Sequence, residues 1–165
     1  MNTTVSQADL CFRPLEEAHA LEILEWRYEP PYDIYNLKGD TQEIVDYMLT
    51  PEYRYHAILS QSGELLAFCC FGIDAQVPGG DYAAEALDVG LGVRPDLTGR
   101  GSGSAFVSAV IDYAQHTWSP RAIRVTIAEF NTRAQRVWKK AGLRRVQRFE
   151  STHSGRPFLI YLYGM

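Results

Sequence analysis

At 165 residues the chain is long enough to close one full hydrophobic core, and its 46% hydrophobic and 22% charged content is a globular balance that excludes a disordered or fibrous protein. Three cysteines, two of them adjacent, and four scattered histidines exclude a disulfide framework and give no metal-ligand spacing. The net charge of −4 is unevenly split: residues 1–92 carry 16 acidic and 4 basic side chains, residues 93–165 carry 4 and 12, so a polyanion suits the second half and a cation the first.

No apolar run reaches membrane-spanning length, and Met1 to Leu10 lacks the basic-then-apolar layout of a secretion signal. The expectation is one cytoplasmic domain over residues 1–165, with a core of about 10–163 and no membrane partner. Cys11, Cys69 and Cys70 then read as core or near-core thiols of a reducing compartment.

In chain order, Leu10–Leu15 reads as a short strand that Pro14 ends or places at an edge. Glu16–Tyr28 reads as a helix, with Leu21, Leu24 and Tyr28 on one stripe. Glu29–Gly39 is a loop punctuated by Pro30, Pro31 and Gly39. It carries Glu29, Tyr32, Asp33, Tyr35 and Asn36, a mix of acids and aromatics that can grip a cationic substrate by charge and cation–π contact. Thr41–Leu49 is a helix with Thr41 as N-cap. Tyr53–Leu59 and Glu64–Ile73 are strands joined by Gln61-Ser62-Gly63, an antiparallel hairpin. A loop over Asp74–Asp81 leads to a strand from about Ala84 to Val93. Gly90 and Gly92 alternate within that strand, as they would beside a ligand lying along it.

The strand runs into V-R-P-D-L-T-G-R-G-S-G-S-A, Val93 to Ala105, and then into a helix over Ser102–Thr117. A strand, a glycine-rich turn and a helix N-terminus form an anion site, because the first-turn N–H groups lack partners and glycine lets a phosphate approach them. Gly99, Gly101 and Gly103 allow several amides to converge on one pyrophosphate. The turn lacks the lysine of the nucleotide P-loop, and its G-R-G-S-G run is not the dinucleotide fingerprint. Ala122–Ala128 is a strand, Asn131 an N-cap and Thr132–Ala141 a helix stopped by Gly142. Arg144–Ser151 and Pro157–Tyr163 form the last hairpin, turned at Ser154-Gly155.

Two segments in register, V-R-P-D-L-T-G-R-G-S-G and N-T-R-A-Q-R-V-W-K-K-A-G-L, resemble the cofactor motif and the later asparagine segment of the GNAT superfamily of acyl-CoA-dependent N-acyltransferases. The element order fits from about Leu10 to Tyr163. The resemblance implies an α+β fold, a central, mostly antiparallel sheet of six to seven strands flanked by about four helices. It implies acetyl-CoA as co-substrate, no metal, and transfer of the acetyl group to a primary amine by direct attack on the thioester. The backbone of Leu91, Gly92 and Val93 would pair with the pantetheine arm, and Val93 N–H would meet the oxyanion. Thr98 takes the first motif position, usually Gln or Arg. Gly99, Arg100, Gly101, Ser102, Gly103 and Ser104 would hold the pyrophosphate, and Asn131 would contact the pantetheine or the thiol. Seven basic residues between Arg133 and Arg148 would help attract the phosphates, most of them individually a solvated helix face.

The sequence departs from the family at two chemical positions. Trp138 stands where many members have a tyrosine that protonates the thiolate, and an indole N–H is not appreciably acidic. Thr126 stands where some relatives place a glutamate base. Asp88, then Glu85, are the expected bases, with Tyr161 and Tyr35 as further proton-transfer groups. The acceptor is a cation such as a polyamine, an aminoglycoside-like drug or a peptide amine. No nucleic-acid partner is expected, and the state is monomer or homodimer. Two other readings remain: a non-catalytic acyl-CoA-binding or sensor domain, and a site for another nucleotide phosphate.

Overall fold

The computed structural model describes residues 5–164. Its strands are β1 (Cys11–Pro14), β2 (His56–Leu59), β3 (Leu65–Phe71), β4 (Leu87–Val93), β5 (Ala122–Ala128), β6 (Arg144–Glu150) and β7 (Pro157–Gly164). Its α-helices are α1 (Glu17–Leu24), α2 (Thr41–Met48), α3 (Gly103–Trp118) and α4 (Thr132–Lys140). The strands form one sheet in the order β1-β2-β3-β4-β5-β7-β6. Every neighbouring pair is antiparallel except β4 and β5, which run parallel. This is the mixed, mostly antiparallel architecture expected.

The sheet separates two cores. Ala57 and Leu59 of β2 pack with Ala20 and Ile23 of α1 and Val45 and Met48 of α2. Ile58 between them packs on the other face with Phe106, Val107 and Val110 of α3 and Trp138 of α4. Strands covered on both faces need no polar alternation, which is why β3 reads L-L-A-F-C-C-F. At one edge β6 exposes Arg144 and Arg145, and charge at a sheet edge blocks pairing with a further strand. The other edge strand, β1, leaves Cys11 exposed, so only Cys69 and Cys70 are the buried thiols expected of all three.

Several boundaries move in ways that shape the site. The helix expected to reach Tyr28 ends at Leu24. Arg27 Nη1 caps the freed carbonyls of Leu24 and Trp26 at 2.8 and 2.7 Å, and the chain from Glu25 onward is released toward the sheet. Asp40, not Thr41, caps α2: its side chain accepts from Glu43 N–H at 3.0 Å. β2 begins at His56 because a 3-10 turn over Pro51–Tyr53 and a left-handed Arg54 precede it. β3 stops at Phe71, where Gly72 takes φ +105° and Ile73–Ala75 turns away. That turn carries Asp74.

Candidate active site

The cleft begins where β4 and β5 part. Gly72 N–H donates to the Asp88 carbonyl at 2.8 Å, and Arg94 N–H to the Leu66 carbonyl at 2.9 Å. By alternation, Asp88, Gly90 and Gly92 turn their backbone groups toward β3, and Val89, Leu91 and Val93 turn theirs toward β5. β5 pairs only with the start of β4, Leu87 with Ile123 and Asp88 with Arg124. Past that rung the strands diverge, and the Leu91 and Val93 N–H groups face an open gap. Gly90 and Gly92 serve β3: a Cβ on Gly92 would stand 2.4 Å from the Phe68 ring, and one on Gly90 would stand 2.8 Å from Cys70 Sγ. The strand glycines thus seat Phe68 and Cys70, which in turn line the cleft.

The gap opens into a cavity of about 790 Å³ that also reaches the glycine turn. Leu91, Gly92, Val93, Thr98, Gly99, Gly101, Gly103, Ser104 and Asn131 all line it, whereas Arg100 and the buried Ser102 do not. Gly99 and Gly101 take φ +70° and +81°, and α3 starts without a side-chain cap. Among the described residues, the N–H groups of residues 99–104 donate to no protein acceptor. Consecutive free amides at a helix N-terminus form a cradle for a diphosphate. Arg133, Arg136 and Lys140 of α4 line the same end. The remaining basic cluster divides: Arg148 pairs with Glu129 at 3.0 Å, and Arg144 and Arg145 face solvent on β6.

The loop after α1 forms the opposite wall. Tyr32 and Tyr35 line the cavity and pack on Phe130, at centroid separations of 5.7 and 5.9 Å. Arg133 lies over the Tyr32 ring at 4.0 Å. Glu29 and Asp33 are exposed and outside the lining, and Asn36 Oδ1 is spent on Tyr28 N–H at 2.7 Å. Tyr28, which carried no functional signal in the sequence, donates its hydroxyl to the Val93 carbonyl at 2.7 Å. Burial pushes its pKa to about 12, so it stays a donor. Asn131 caps α4 through Oδ1, which accepts from Ala134 N–H at 3.0 Å, and its Nδ2 donates to the Tyr35 hydroxyl at 3.2 Å. The Tyr35 oxygen is an acceptor there, which leaves its own proton available. Burial raises the Tyr35 pKa above its ordinary value.

The expected proton-transfer groups are held elsewhere. Asp88 is 4% exposed and does not line the cavity. Arg124 grips both its oxygens, Nε at 2.7 Å and Nη2 at 2.8 Å, and Gln76 Nε2 adds a third bond at 2.9 Å. Glu85 is exposed and off the cavity. Tyr161 is fully buried and donates to Gln135 Oε1 at 3.0 Å. Thr126 and Trp138 do line the cavity, with the Thr126 hydroxyl 2.8 Å from the Tyr82 hydroxyl. Asp74 is the single carboxylate in the lining among the described residues. Tyr47 donates to one of its oxygens and Tyr55 to the other. Burial raises the Asp74 pKa from the ordinary carboxylate value. No group of metal-ligating side chains and no helix long and apolar enough to cross a membrane occurs among the described residues.

A family model described as "Acetyltransferase (GNAT) family" matches residues 20–143. No curated protein matches the chain significantly. Among solved structures, the chain is similar to AAC(6')-Ib in complex with paromomycin and acetyl-CoA, with TM-score 0.76, 13% identity, and 94% of this chain and 93% of that one covered. It is similar to a chimera of the spermidine N-acetyltransferase SpeG from Vibrio cholerae and hSSAT, with TM-score 0.72, 14% identity and coverage of 93% and 94%. A GNAT-family acetyltransferase from Bacillus anthracis aligns with TM-score 0.71, 15% identity and 94% of both chains. At such identities the likeness is one of fold.

Proposed function

The chain belongs to the GNAT acetyltransferase family, and from that premise we propose that it moves an acetyl group from acetyl-CoA to a primary amine. One observation carries the reading: the unpaired amides of β4 and of residues 99–104 open into the same cavity. An extended pantetheine can pair with the first set as an added strand while its diphosphate fills the second. Leu91, Gly92, Val93, Thr98, Gly99, Gly101, Gly103, Ser104 and Asn131 form the coenzyme site. Arg100 and Ser102 contribute through the backbone of the turn.

Bound acetyl-CoA supplies an activated acyl carbon and a thiolate leaving group. The chain's own residues do the rest. The Val93 N–H stabilises the negative charge that develops on the acyl oxygen. Tyr28 donates to the Val93 carbonyl and so anchors the peptide that follows Val93. Asp74 takes the ammonium proton, in place of Asp88, whose oxygens serve the Arg124 ion pair. The neutral nitrogen then forms the C–N bond as the C–S bond breaks. Tyr35 gives its proton to the departing sulfur, the role Trp138 does not fill, and regains one from the second proton that the nitrogen sheds on becoming the amide, carried by water. Because Asp74 works as a carboxylate, turnover falls as pH drops through its raised pKa.

The test is release of coenzyme thiol from acetyl-CoA with a panel of primary amines, with the amide product identified by mass. Tyr35→Phe is expected to lower kcat by about a hundredfold, within the range of general acid catalysis, with coenzyme affinity kept. Unchanged kcat removes Tyr35 from the chemistry. The buried Trp138 favours one second reading, an acyl-CoA-binding domain without turnover. Tight coenzyme binding with no thiol release for any amine would select it.

A further inference from the structure

Charge inside the cleft is divided by position. Arg133, Arg136 and Lys140 line the end near the glycine turn, and a Cβ on Gly99 would stand 2.8 Å from the Arg133 guanidinium. Asp74, the single carboxylate of the lining among the described residues, follows β3 beyond the opposite end of β4. Between them the walls are Trp26, Tyr28, Tyr35 and Phe68. A second cavity of about 360 Å³, between α2 and β3, shares Leu37 and Phe68 with the first. Ile44, Met48, Tyr47 and Tyr55 form the rest of its apolar wall, the exposed and oppositely charged Lys38 and Glu43 complete its lining, and the two tyrosines are the donors that hold Asp74.

This arrangement bears on the acceptor. A cationic nitrogen drawn into an apolar cleft needs a counter-charge or retained water. The first cavity offers one counter-charge among the described residues; in the second, the exposed Glu43 shares the lining with the opposite charge of Lys38, and Glu29 and Asp33, which would serve further cations, stay exposed outside both linings. The cations at the far end suit the coenzyme phosphates and repel a second ammonium.

Given the transferase reading above, on which this rests, we infer that the acceptor is a primary monoamine with an apolar or aromatic body, whose ammonium sits on Asp74 and whose body enters the Leu37–Phe68 cavity. Tyr47 and Tyr55 are positioning residues that orient the carboxylate toward it. The cleft therefore selects against polycations, although structural neighbours include an enzyme that acts on spermidine.

The experiment uses the whole chain loaded with coenzyme A, with amine binding read by calorimetry and acetylation by thiol release from acetyl-CoA. 2-Phenylethylamine is expected to exceed spermidine in kcat/KM by about tenfold or more, the penalty for one unpaired buried charge. Methylamine, which carries the ammonium without the body, is expected to bind about a hundredfold more weakly. Asp74→Asn is expected to weaken 2-phenylethylamine binding by about tenfold with coenzyme A affinity kept, which shows that the variant is folded. Preference for spermidine or an aminoglycoside, or unchanged amine affinity in the variant, overturns this inference and leaves the transferase reading standing. If coenzyme A itself does not bind, that reading fails first and takes this one with it.

Discussion

Replacing Gly101 by valine is expected to weaken coenzyme A binding by about a hundredfold or more and to leave the fold intact. Gly101 has φ +81°, and a Cβ built on it meets nothing within 4 Å. The new side chain would enter the space above the free amides of residues 99–104, where the cradle requires the diphosphate to lie. Displacing a phosphate from two charge-assisted hydrogen bonds forfeits roughly 3 kcal/mol or more, which is over a hundredfold in affinity. The left-handed backbone adds a strain of about 1–2 kcal/mol for an L-residue, a modest loss for a whole domain. Gly103 behaves differently. Its Cβ would stand 3.1 Å from Val137 Cγ2, so valine there pushes α4 off α3 and lowers stability along with binding. Calorimetric titration with coenzyme A and a thermal melt separate the two. Wild-type affinity in the Gly101 variant would remove the cradle from the coenzyme site.

The elements that carry the proposed coenzyme site were legible because their signals are local. β5 matches its expected bounds, α3 and α4 lie within a residue of theirs, and Asn131 caps α4 as its side chain and position predict. The glycine turn announces its backbone in its composition. The proposed acceptor side was not legible, because it is made by distant pairings. Asp88 looked like a free carboxylate beside the ligand strand, and its partner Arg124 lies 36 residues away on β5. Asp74 had no pattern around it: its place in the cleft arises where Gly72 ends β3 and turns the chain under Tyr47 and Tyr55. The acids of the Glu29–Asn36 loop were judged by charge, but the loop's aromatics face the cleft and Glu29 and Asp33 face solvent. Alternating glycines in β4 did mark a close approach. The approaching groups are Phe68 and Cys70 of the adjacent strand. Periodicity identifies a face; it does not say which element covers it.

Asp88→Ala is expected to destabilise the protein by about 3–5 kcal/mol, the usual loss when one partner of a buried ion pair is removed. Arg124 is 4% exposed, and without Asp88 its charge would keep only the Ala84 carbonyl at 2.9 Å and the face of Tyr82, 4.9 Å from the ring centroid. For a chain of this size the melting temperature falls on the order of 10 °C. The pair also has a place in the proposed mechanism, because Asp88 and Arg124 face each other at the last rung that β4 and β5 share. It fixes where the strands part, and so where the Leu91 and Val93 amides become free for the proposed coenzyme pairing. Loosening that rung should raise the KM for acetyl-CoA more than it lowers kcat, measured well below the melting temperature. Asp88→Asn should be milder in stability, since its amide oxygen still accepts from Arg124 Nε while its amide nitrogen meets a second donor. A folded Asp88 variant that binds coenzyme normally and shows no turnover would return Asp88 to the role of base and displace Asp74 from it.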